Sequence, residues 1–164
     1  MEIREFQPED SGELIQLFCD TVYLVNAKDY TKEQLDAWTS GCAYAEKWIG
    51  PFLLHTTLVA VDGKTIVGFG DIDDDGYLDH LFVHHHYQGR GIGTLICDEL
   101  EKRCLTKIIT THSSITAKPF FERRGYFVVR EQQVVRNGVL LTNYVMTKYR
   151  MDVRRSTLSR ILCK

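Results

Sequence analysis

The sequence predicts an α/β fold of the α+β type, with one mixed central sheet of about seven strands and about four helices. Three apolar runs between positions 56 and 83 are separated by turn signals at Asp62-Gly63 and Asp75-Gly76, a pattern that predicts an antiparallel meander. A helical pattern then crosses to another apolar run, KIITTHS, and such a crossover places the two strands that it joins side by side and parallel. Two final runs around Asn137-Gly138 predict a closing hairpin.

The N-terminal part predicts one strand and two helices. The run from Glu2 to Phe6 alternates apolar and polar residues, as a short strand does. Asp10 or Ser11 is expected to cap the first helix. Its apolar residues recur at helical spacing: Leu14, Ile15, Leu17, Phe18, Val22 and Val25. The second helix, TKEQLDAWTSG, begins at Thr31, which stands in capping-box spacing with Gln34.

Two more helices and a C-terminal extension complete the predicted organisation. An amphipathic pattern from Gly91 to Cys104 predicts the crossover helix, and ITAKPFFERRGY predicts a short helix that ends at Gly125. We expect residues 1–148 to form a single domain, because a chain of 164 residues with 44% hydrophobic residues suits one core. Residues 149–164 are mostly basic and are expected to form a peripheral helix or a loose tail.

Composition argues against several classes of partner. The formal net charge is -2 at pH 7 and the pI is near 6.3, so no overall positive field predicts nucleic-acid binding. No apolar stretch approaches the roughly 20 residues of a membrane span, and the polar N-terminus lacks the apolar region of a signal peptide. The cysteines are odd in number and include no CxxC pair, which favours reduced thiols in a cytoplasmic protein. They are Cys19, Cys42, Cys97, Cys104 and Cys163.

A glycine-rich turn between an apolar strand and the crossover helix carries the clearest chemical signal. Backbone N–H groups at the start of a helix lack partners and converge on one point, where the helix dipole favours an anion. A P-loop is strongly disfavoured, because Gly93 is followed by Thr94-Leu95 and not by a Lys-Ser or Lys-Thr pair. A dinucleotide site is disfavoured, because the glycines are spaced GxGxG and the next strand ends without a carboxylate for the ribose.

The segment Gln88-Gly89-Arg90-Gly91-Ile92-Gly93 matches the pattern Q/R-x-x-G-x-G/A and resembles the coenzyme A loop of the GNAT superfamily of N-acetyltransferases. AKPFFERRGY and the closing hairpin follow in that family's order. The resemblance implies acetyl-CoA as co-substrate, and a bulge that splays the strand ending near Val83 from its parallel neighbour and opens a V-shaped cleft. The implied cofactor-binding residues are Leu81, Phe82, Val83, Gln88, Gly89, Arg90, Gly91, Ile92, Gly93, Thr94 and Phe121.

The same resemblance implies a catalytic arrangement on this strand. The backbone N–H at or near Val83 is expected to stabilise the oxyanion that forms when an amine attacks the thioester. The amine must lose a proton, because an amine of pKa about 10 is protonated at pH 7. Asp79 is the first candidate for the base, directly or through water, and His80 is the alternative. Strand alternation predicts that only one of the two faces the cleft directly.

The expected general acid is missing. Family members commonly read FYE where this chain has Phe120-Phe121-Glu122, so the hydroxyl that usually protonates the departing thiolate is absent. Tyr126, Tyr144 or water are the candidates to replace it. The missing hydroxyl also keeps open an alternative function, that of a catalytically degenerate sensor or scaffold module that binds coenzyme A.

The acceptor is expected to be a primary amine of a small molecule or peptide. Specificity in this superfamily usually comes from the first two helices and the last hairpin, and homodimers are common, so a homodimer is one implied assembly. The candidate substrate residues are Tyr23, Asp29, Tyr30 and Trp38. A carboxylate such as Asp29 is suited to attract a cationic amine.

Two further clusters are expected to have no ligand. No metal is predicted at His84, His85 and His86, because consecutive residues in an extended segment alternate in direction and cannot easily converge on one ion. The acidic residues from Asp71 to Asp75 are expected to belong to a hairpin turn.

Overall fold

The structure is a computed structural model that describes residues 1–44 and 46–150, and its framework is a seven-stranded mixed sheet. The strands are β1 (Glu2–Glu5), β2 (Thr56–Asp62), β3 (Thr65–Ile72), β4 (Tyr77–Val83), β5 (Ile108–Ser114), β6 (Phe127–Arg136) and β7 (Val139–Tyr149). Their order across the sheet is β1-β2-β3-β4-β5-β7-β6. All neighbouring strands are antiparallel except β4 and β5, which are parallel. From position 151 on, the predicted extension lies outside the described residues.

The predicted fold class is confirmed, including the meander, the parallel pair and the closing hairpin. The helices are α1 (Ser11–Leu24), α2 (Lys32–Thr39), α3 (Glu46–Leu54), α4 (Ile92–Arg103) and α5 (Lys118–Arg123). In the closing hairpin, Asn137 and Gly138 both have positive φ, 45° and 80°, as the two-residue turn between β6 and β7 requires. No helix among the described residues is long and apolar enough to cross a membrane.

Helix α3 was not predicted. Its sequence contains Gly50-Pro51, and a proline inside a helical pattern normally indicates a break. The helix forms because tertiary packing outweighs this local preference: Phe52 is buried against Phe69 of β3, with ring centroids 5.7 Å apart, and Trp48 lies 4.8 Å from the ring of Phe18 on α1. This helix therefore covers the sheet on the same face as α1.

Only one of the two predicted helix caps is present. Thr31 and Gln34 form the predicted capping box at the start of α2, each side chain bonding the other residue's backbone N–H. Asp10 occupies the cap position of α1, but its side chain does not cap that helix. Its carboxylate instead accepts a two-pronged hydrogen bond from Arg4, at 2.7 and 2.8 Å, and one from the backbone N–H of Gln7.

The expectation that the cysteines are all reduced thiols is wrong for one pair. Cys19 of α1 and Cys42 of the 3-10 turn Ser40–Ala43 form a disulfide. The two residues are 23 positions apart and share no sequence motif, so only the packing of α1 beside that turn brings them together. Cys97 and Cys104 are free and buried, as α4 packing residues.

Helix α4 lies unusually close to β3 on the opposite face of the sheet. A Cβ atom added to Gly68 would lie 3.0 Å from a methyl of Ile92, and one added to Gly70 would lie 3.0 Å from a methyl of Ile96 and 2.9 Å from the backbone oxygen of His80. A real Cβ atom at either position would therefore be closer to its neighbours than normal van der Waals packing allows. The two glycines therefore set how closely α4 approaches the sheet, and with it the position of the helix N-terminus.

We expect Gly70→Ala to lower the free energy of unfolding by about 1–3 kcal/mol, because the added methyl must displace either α4 or the β4 backbone. Urea unfolding followed by circular dichroism measures the change. Gly12→Ala is the matched control, since a Cβ at that position of α1 meets nothing within 4 Å, and it should be neutral or stabilising by up to about 1 kcal/mol. Equal stability of the two variants would contradict a rigid contact between α4 and β3.

Candidate active site

A cleft opens where β4 and β5 separate. In the described part of the chain these parallel strands pair at two positions, Tyr77–Thr110 and Leu78–Thr111, whereas β5 pairs with β7 along its whole length. Beyond Leu78 the strands diverge and line a cavity of about 830 Å³. Residues of α1, α3, α4, α5 and β7 complete its walls.

A β-bulge in β4 marks the point of divergence. The register between β3 and β4 steps from Ile72–Leu78 to Asp71–His80, which leaves Asp79 as the extra residue on β4. A bulge bends its strand and increases the local twist, so β4 turns away from β5 at this residue. The bulge that the family resemblance implied is therefore present, at Asp79.

The edge of β4 beyond the bulge faces the cleft without strand pairing to β5. The N–H of His84 donates to the oxygen of Val67, so residue 84 bonds towards β3. Successive residues of a strand bond to opposite edges, and Leu81 and Val83 therefore direct their backbone groups towards the cleft. The oxygen of Val83 accepts there from Gln88 Nε2, at 2.5 Å. Its N–H points to the same side.

The glycine turn ends in a cluster of free backbone donors. Gly91 is the N-cap of α4 with φ 80°, and no side chain caps this helix. Because the N–H of Leu95 is the first to bond back, to the oxygen of Gly91, the N–H groups at positions 92–94 have no acceptor within the helix. A Cβ on Gly91 would meet nothing within 4 Å, so the space beside these donors is open. The arrangement fits an anion such as a diphosphate.

Aromatic side chains form part of the cavity wall. Phe18 lies at the centre, with ring centroids 4.8 Å from Trp48, 4.8 Å from Phe82 and 6.5 Å from Trp38. All four rings line the cavity. Sequence reasoning identified Trp38 but missed Trp48, which belongs to the unpredicted helix α3.

A buried carboxylate organises the polar centre of the cleft. The side chain of Asp71 is 0% exposed, and its two oxygens bind two histidines. Oδ1 lies 2.8 Å from His80 Nδ1 and accepts from the backbone N–H of His80 at 3.0 Å. Oδ2 lies 2.6 Å from His55 Nδ1. Of these three side chains, His80 lines the cavity.

The environment of His80 favours its protonated form. Burial lowers the pKa of the imidazole, but the hydrogen bond to Asp71 and the negative charges of Asp71 and Asp79 outweigh burial, and the pKa is raised above its ordinary value of 6.5. His80 therefore gains protons more readily than a solvent-exposed histidine. This property suits a group that must take a proton from an amine.

The structure corrects two predictions about these residues. Asp79 and His80 were expected to face opposite sides, yet both line the cavity, and Asp79 Oδ2 lies 3.5 Å from His80 Nδ1. The bulge at Asp79 is the reason, because an extra residue interrupts the alternation of the strand. Asp71 was assigned to a hairpin turn, but it lies within β3, and only the acidic residues after Ile72 belong to the turn.

Neither tyrosine proposed as the general acid lines the cleft. Tyr126 is buried behind α4, where its hydroxyl donates to Glu101 Oε1 at 3.1 Å, and burial together with the charge of Glu101 raises its pKa. Tyr144 lies under the ammonium of Lys118, 4.5 Å from its ring centroid. Phe121 does line the cavity, as predicted, and presents only an apolar ring there.

The predicted cofactor-binding residues are gathered in one place, with one exception. The following all line the cavity: Leu81, Phe82, Val83, Gln88, Gly89, Gly91, Ile92, Gly93, Thr94 and Phe121. Arg90 does not, and its guanidinium lies over the ring of Tyr87, 4.7 Å from the centroid.

Two of the four predicted substrate residues line the cavity, Tyr30 and Trp38. Tyr30 is held by the fold, since its hydroxyl donates to the oxygen of Thr142 and accepts from the N–H of Ile115. Tyr23 lies away from the cleft, between α1 and α2, where its hydroxyl donates to Asp36. Asp29 lies outside the lining and accepts from Thr116. Sequence reasoning missed several lining residues: Lys28, Trp48, Tyr77, His112, Arg136 and Asn143.

Among the described residues, the histidine, cysteine and carboxylate side chains with mutually close donor atoms are Asp71, Asp79 and His80, all within 4.8 Å. The shortest contact, 2.8 Å between Asp71 and His80, is a hydrogen-bond distance. Donor atoms around one zinc ion, each about 2.1 Å from the metal, stand about 3.4 Å apart in a tetrahedron. The 2.8 Å contact is shorter than that, so Asp71 and His80 are hydrogen-bond partners.

Several known proteins resemble this chain in sequence or in fold. The model of the acetyltransferase (GNAT) domain matches residues 26–148. An uncharacterized N-acetyltransferase of Escherichia coli K12, YafP, is 32% identical over 146 residues, which cover 89% of this chain and 94% of YafP. A GCN5-related N-acetyltransferase from Rhodopseudomonas palustris is 33% identical with a TM-score of 0.88, covering 91% of this chain and 95% of that one. PaiA N-acetyltransferase from Thermoplasma acidophilum, solved with coenzyme A, has the same fold at 20% identity, with a TM-score of 0.73 and coverage of 91% and 98%.

We expect Tyr30→Phe to lower the free energy of unfolding by about 1–3 kcal/mol, because the change leaves the part-buried N–H of Ile115 and the oxygen of Thr142 without their partner. Tyr23→Phe is the control: it removes the same hydroxyl from a side chain that is 41% exposed, and should cost less than about 1 kcal/mol. Urea unfolding of both variants tests the difference. Equal losses would show that Tyr30 does not fasten the α1–α2 loop to the sheet.

Proposed function

The chain belongs to the GNAT family of N-acetyltransferases, which take their acetyl group from acetyl-CoA, and we propose that it transfers this group directly to a primary amine of a small molecule or peptide. The observation that carries the proposal is the splayed pair β4–β5, with a free strand edge and an open helix N-terminus on one side of the cleft and acceptor-side residues on the other.

The residues of the cleft fit acetyl-CoA. The free N–H groups at positions 92–94 would bind the diphosphate, and the absence of a Cβ at Gly91 leaves room for it. The cleft-facing backbone of Leu81 and Val83 would bind the pantetheine arm as an added strand. The apolar ring of Phe121 would pack beside that arm. When bound, acetyl-CoA supplies a thioester with an acetyl group activated for attack.

Val83 and the acidic and histidine side chains near the bulge would perform the catalytic work. The N–H of Val83 would donate to the carbonyl oxygen as negative charge develops on it, and loss of one such donor costs about 3 kcal/mol of barrier. Asp79 and His80 both reach the cleft on the acceptor side, and either one would accept the proton of the amine. Water would supply a proton to the departing thiolate where family members use a tyrosine.

The acceptor side of the cleft suits an amine. The side chain of Asp79 is 38% exposed and presents a carboxylate to the cavity. Asn143 Oδ1 is buried without a hydrogen-bond partner among the described residues, and Asn143 lines the same cavity. Both oxygens are acceptors that an amine N–H satisfies. The faces of Trp38 and Trp48 add a surface that attracts cations.

A second candidate function is a sensor or scaffold that binds coenzyme A without turnover. The observation that favours it is the ring of Phe121 in the place of the usual tyrosine, with neither Tyr126 nor Tyr144 in the cavity lining. Purified protein with acetyl-CoA and a panel of primary amines separates the two functions. Release of thiol that depends on an amine supports transfer, whereas calorimetric binding of coenzyme A without amine-dependent release supports the sensor.

We expect Gly91→Val to weaken the binding of coenzyme A at least about tenfold, because φ of 80° and the space for the diphosphate both exclude a side chain. Isothermal titration calorimetry measures the affinity. Gly63→Val is the matched control: Gly63 also has positive φ, 64°, and open surroundings, but it lies in the β2–β3 turn. Both variants should lose stability, and only Gly91→Val should lose affinity. An equal loss of affinity in both, or in neither, contradicts the assignment of the loop.

A further inference from the structure

We propose that the buried carboxylate of Asp71 fixes His80 as the general base of this reaction, with imidazole Nδ1 held by Asp71 and Nε2 presented to the cleft. His80 is then the catalytic residue and Asp71 a positioning residue. The inference rests on the proposed function, because it names the group that takes a proton from the acceptor amine.

The hydrogen bonds of Asp71 determine which nitrogen of each histidine carries a proton. An ionised carboxylate has no hydrogen and can only accept. The Nδ1 atoms of His80 and His55, 2.8 and 2.6 Å from its oxygens, are therefore both donors. A neutral imidazole carries one proton, so the lone pair of each ring lies on Nε2. Asp71 thus selects the one tautomer of His80 whose free nitrogen can act as a base.

Packing directs that free nitrogen of His80 towards the cleft. The ring is held among aromatic neighbours, with its centroid 5.3 Å from Trp48, 5.5 Å from Phe52 and 6.3 Å from Phe82. Its side chain is 21% exposed and lines the cavity. The described hydrogen bonds of the ring use Nδ1, and Nε2 has no described partner and is not among the fully buried unpaired atoms, so Nε2 keeps some accessible surface. Since His80 lines the cavity, we infer that this surface opens into it.

The ordinary pKa of a histidine suits a general base near neutral pH better than that of an aspartate, which favours His80 over Asp79. General-base catalysis is most effective when the pKa of the base lies near the working pH, and the ordinary pKa of imidazole is about 6.5 against about 4 for a carboxylate. Asp79 Oδ2 lies 3.5 Å from His80 Nδ1, where its charge stabilises the imidazolium without needing to accept the proton. Asp79 therefore adds a second, weaker electrostatic stabilisation of the protonated His80.

The proton balance of the step is complete without another reactant. The acceptor ammonium gives one proton to Nε2 of His80, and the freed electron pair on nitrogen forms the C–N bond. The C–S bond breaks with its electron pair on sulfur, and the second proton of the nitrogen reaches that sulfur, through water, to give the thiol. The products are the amide, the thiol and an imidazolium, which Asp71 stabilises and which returns its proton to solvent.

The charged and titratable groups that face His80 determine the pH dependence. They are Asp71 from β3 and Asp79 from β4, while His55, the residue between α3 and β2, binds the other oxygen of Asp71. Among the side chains of α3 that the structure describes, the uncharged rings of Trp48 and Phe52 pack against His80. His80 acts as a base only when it is deprotonated. Turnover should therefore rise with pH through a pKa above 6.5.

Nitrogen NMR of the wild-type protein with ¹⁵N-labelled histidine tests the proposal without a mutation. At a pH where His80 is neutral, its Nδ1 should show the chemical shift of a protonated nitrogen and its Nε2 that of an unprotonated one. A neutral His80 with the proton on Nε2 overturns the proposal. This measurement needs neither acetyl-CoA nor an acceptor.

Asp71→Asn tests the positioning role by kinetics. We expect the turnover number to fall about 10- to 100-fold with little change in KM, and the acidic limb of the pH–rate profile to move to lower pH, because the charge that raises the pKa of His80 is gone. In His80→Gln, the turnover number should fall about 100-fold or more, and the acidic limb of the pH–rate profile should disappear. Asp10→Asn is the control, since it removes another buried, hydrogen-bonded carboxylate that is not part of the cavity lining. It should lower stability but leave the pH–rate profile unchanged.

The outcomes separate this inference from the proposed function. If wild-type protein shows no amine-dependent thiol release, the proposed function fails. If wild-type protein turns over but Asp71→Asn keeps the wild-type pH–rate profile, or Asp79→Asn causes the larger loss, the function holds and the inference fails. Should Asp71→Asn not fold, the wild-type NMR result decides the matter.

Discussion

The separation of β4 from β5 after two residue pairs is the constraint on which the rest of the molecule depends. Each of the two strands keeps a partner on its other side, so both remain in the sheet while they diverge from each other. β3 holds β4 along its length, and β7 holds all seven residues of β5 from Ile108 to Ser114. The extra residue at Asp79 then increases the twist of β4. The strand edges that part are left with unpaired backbone groups, and the close contact of α4 with Gly68 and Gly70 places a helix N-terminus beside them.

The same bulge connects the fold with the chemistry of the cleft. In a regular strand, Asp79 and His80 would lie on opposite faces, and only one of them would face the cavity. With the bulge, both reach the cavity, and the backbone N–H of His80 bonds to the side chain of Asp71. One irregularity thus marks the opening of the cleft and brings Asp79 and His80 to it, with the buried carboxylate of Asp71 behind His80.

How much the sequence predicts depends on how far apart the interacting residues lie. The meander, the Asn137-Gly138 hairpin and the glycine turn before α4 were predicted, because each depends on residues only a few positions apart. Helix α3 and the disulfide were not, since tertiary packing overrides Gly50-Pro51 and brings together cysteines 23 positions apart. The role of Asp71 was missed for the same reason. Its neighbours in sequence are turn aspartates, whereas its partners come from β4 and the end of α3.

The missing hydroxyl at Phe121 agrees with a proposed site in which side chains assist the general base and water serves as the general acid. Phe121 is buried, with ring centroids 5.3 Å from Phe120 and 5.1 Å from Tyr126, so its surroundings stabilise an apolar ring. A thiol with a pKa of about 8.5 leaves readily as thiolate, whereas an amine with a pKa of about 10 arrives protonated. Removing a proton from the attacking amine is therefore the more demanding of the two proton transfers. Under the proposed mechanism, the fully buried carboxylate of Asp71 orients His80 and water protonates the leaving group, so the electrostatic help of the fold acts on the attacking nitrogen.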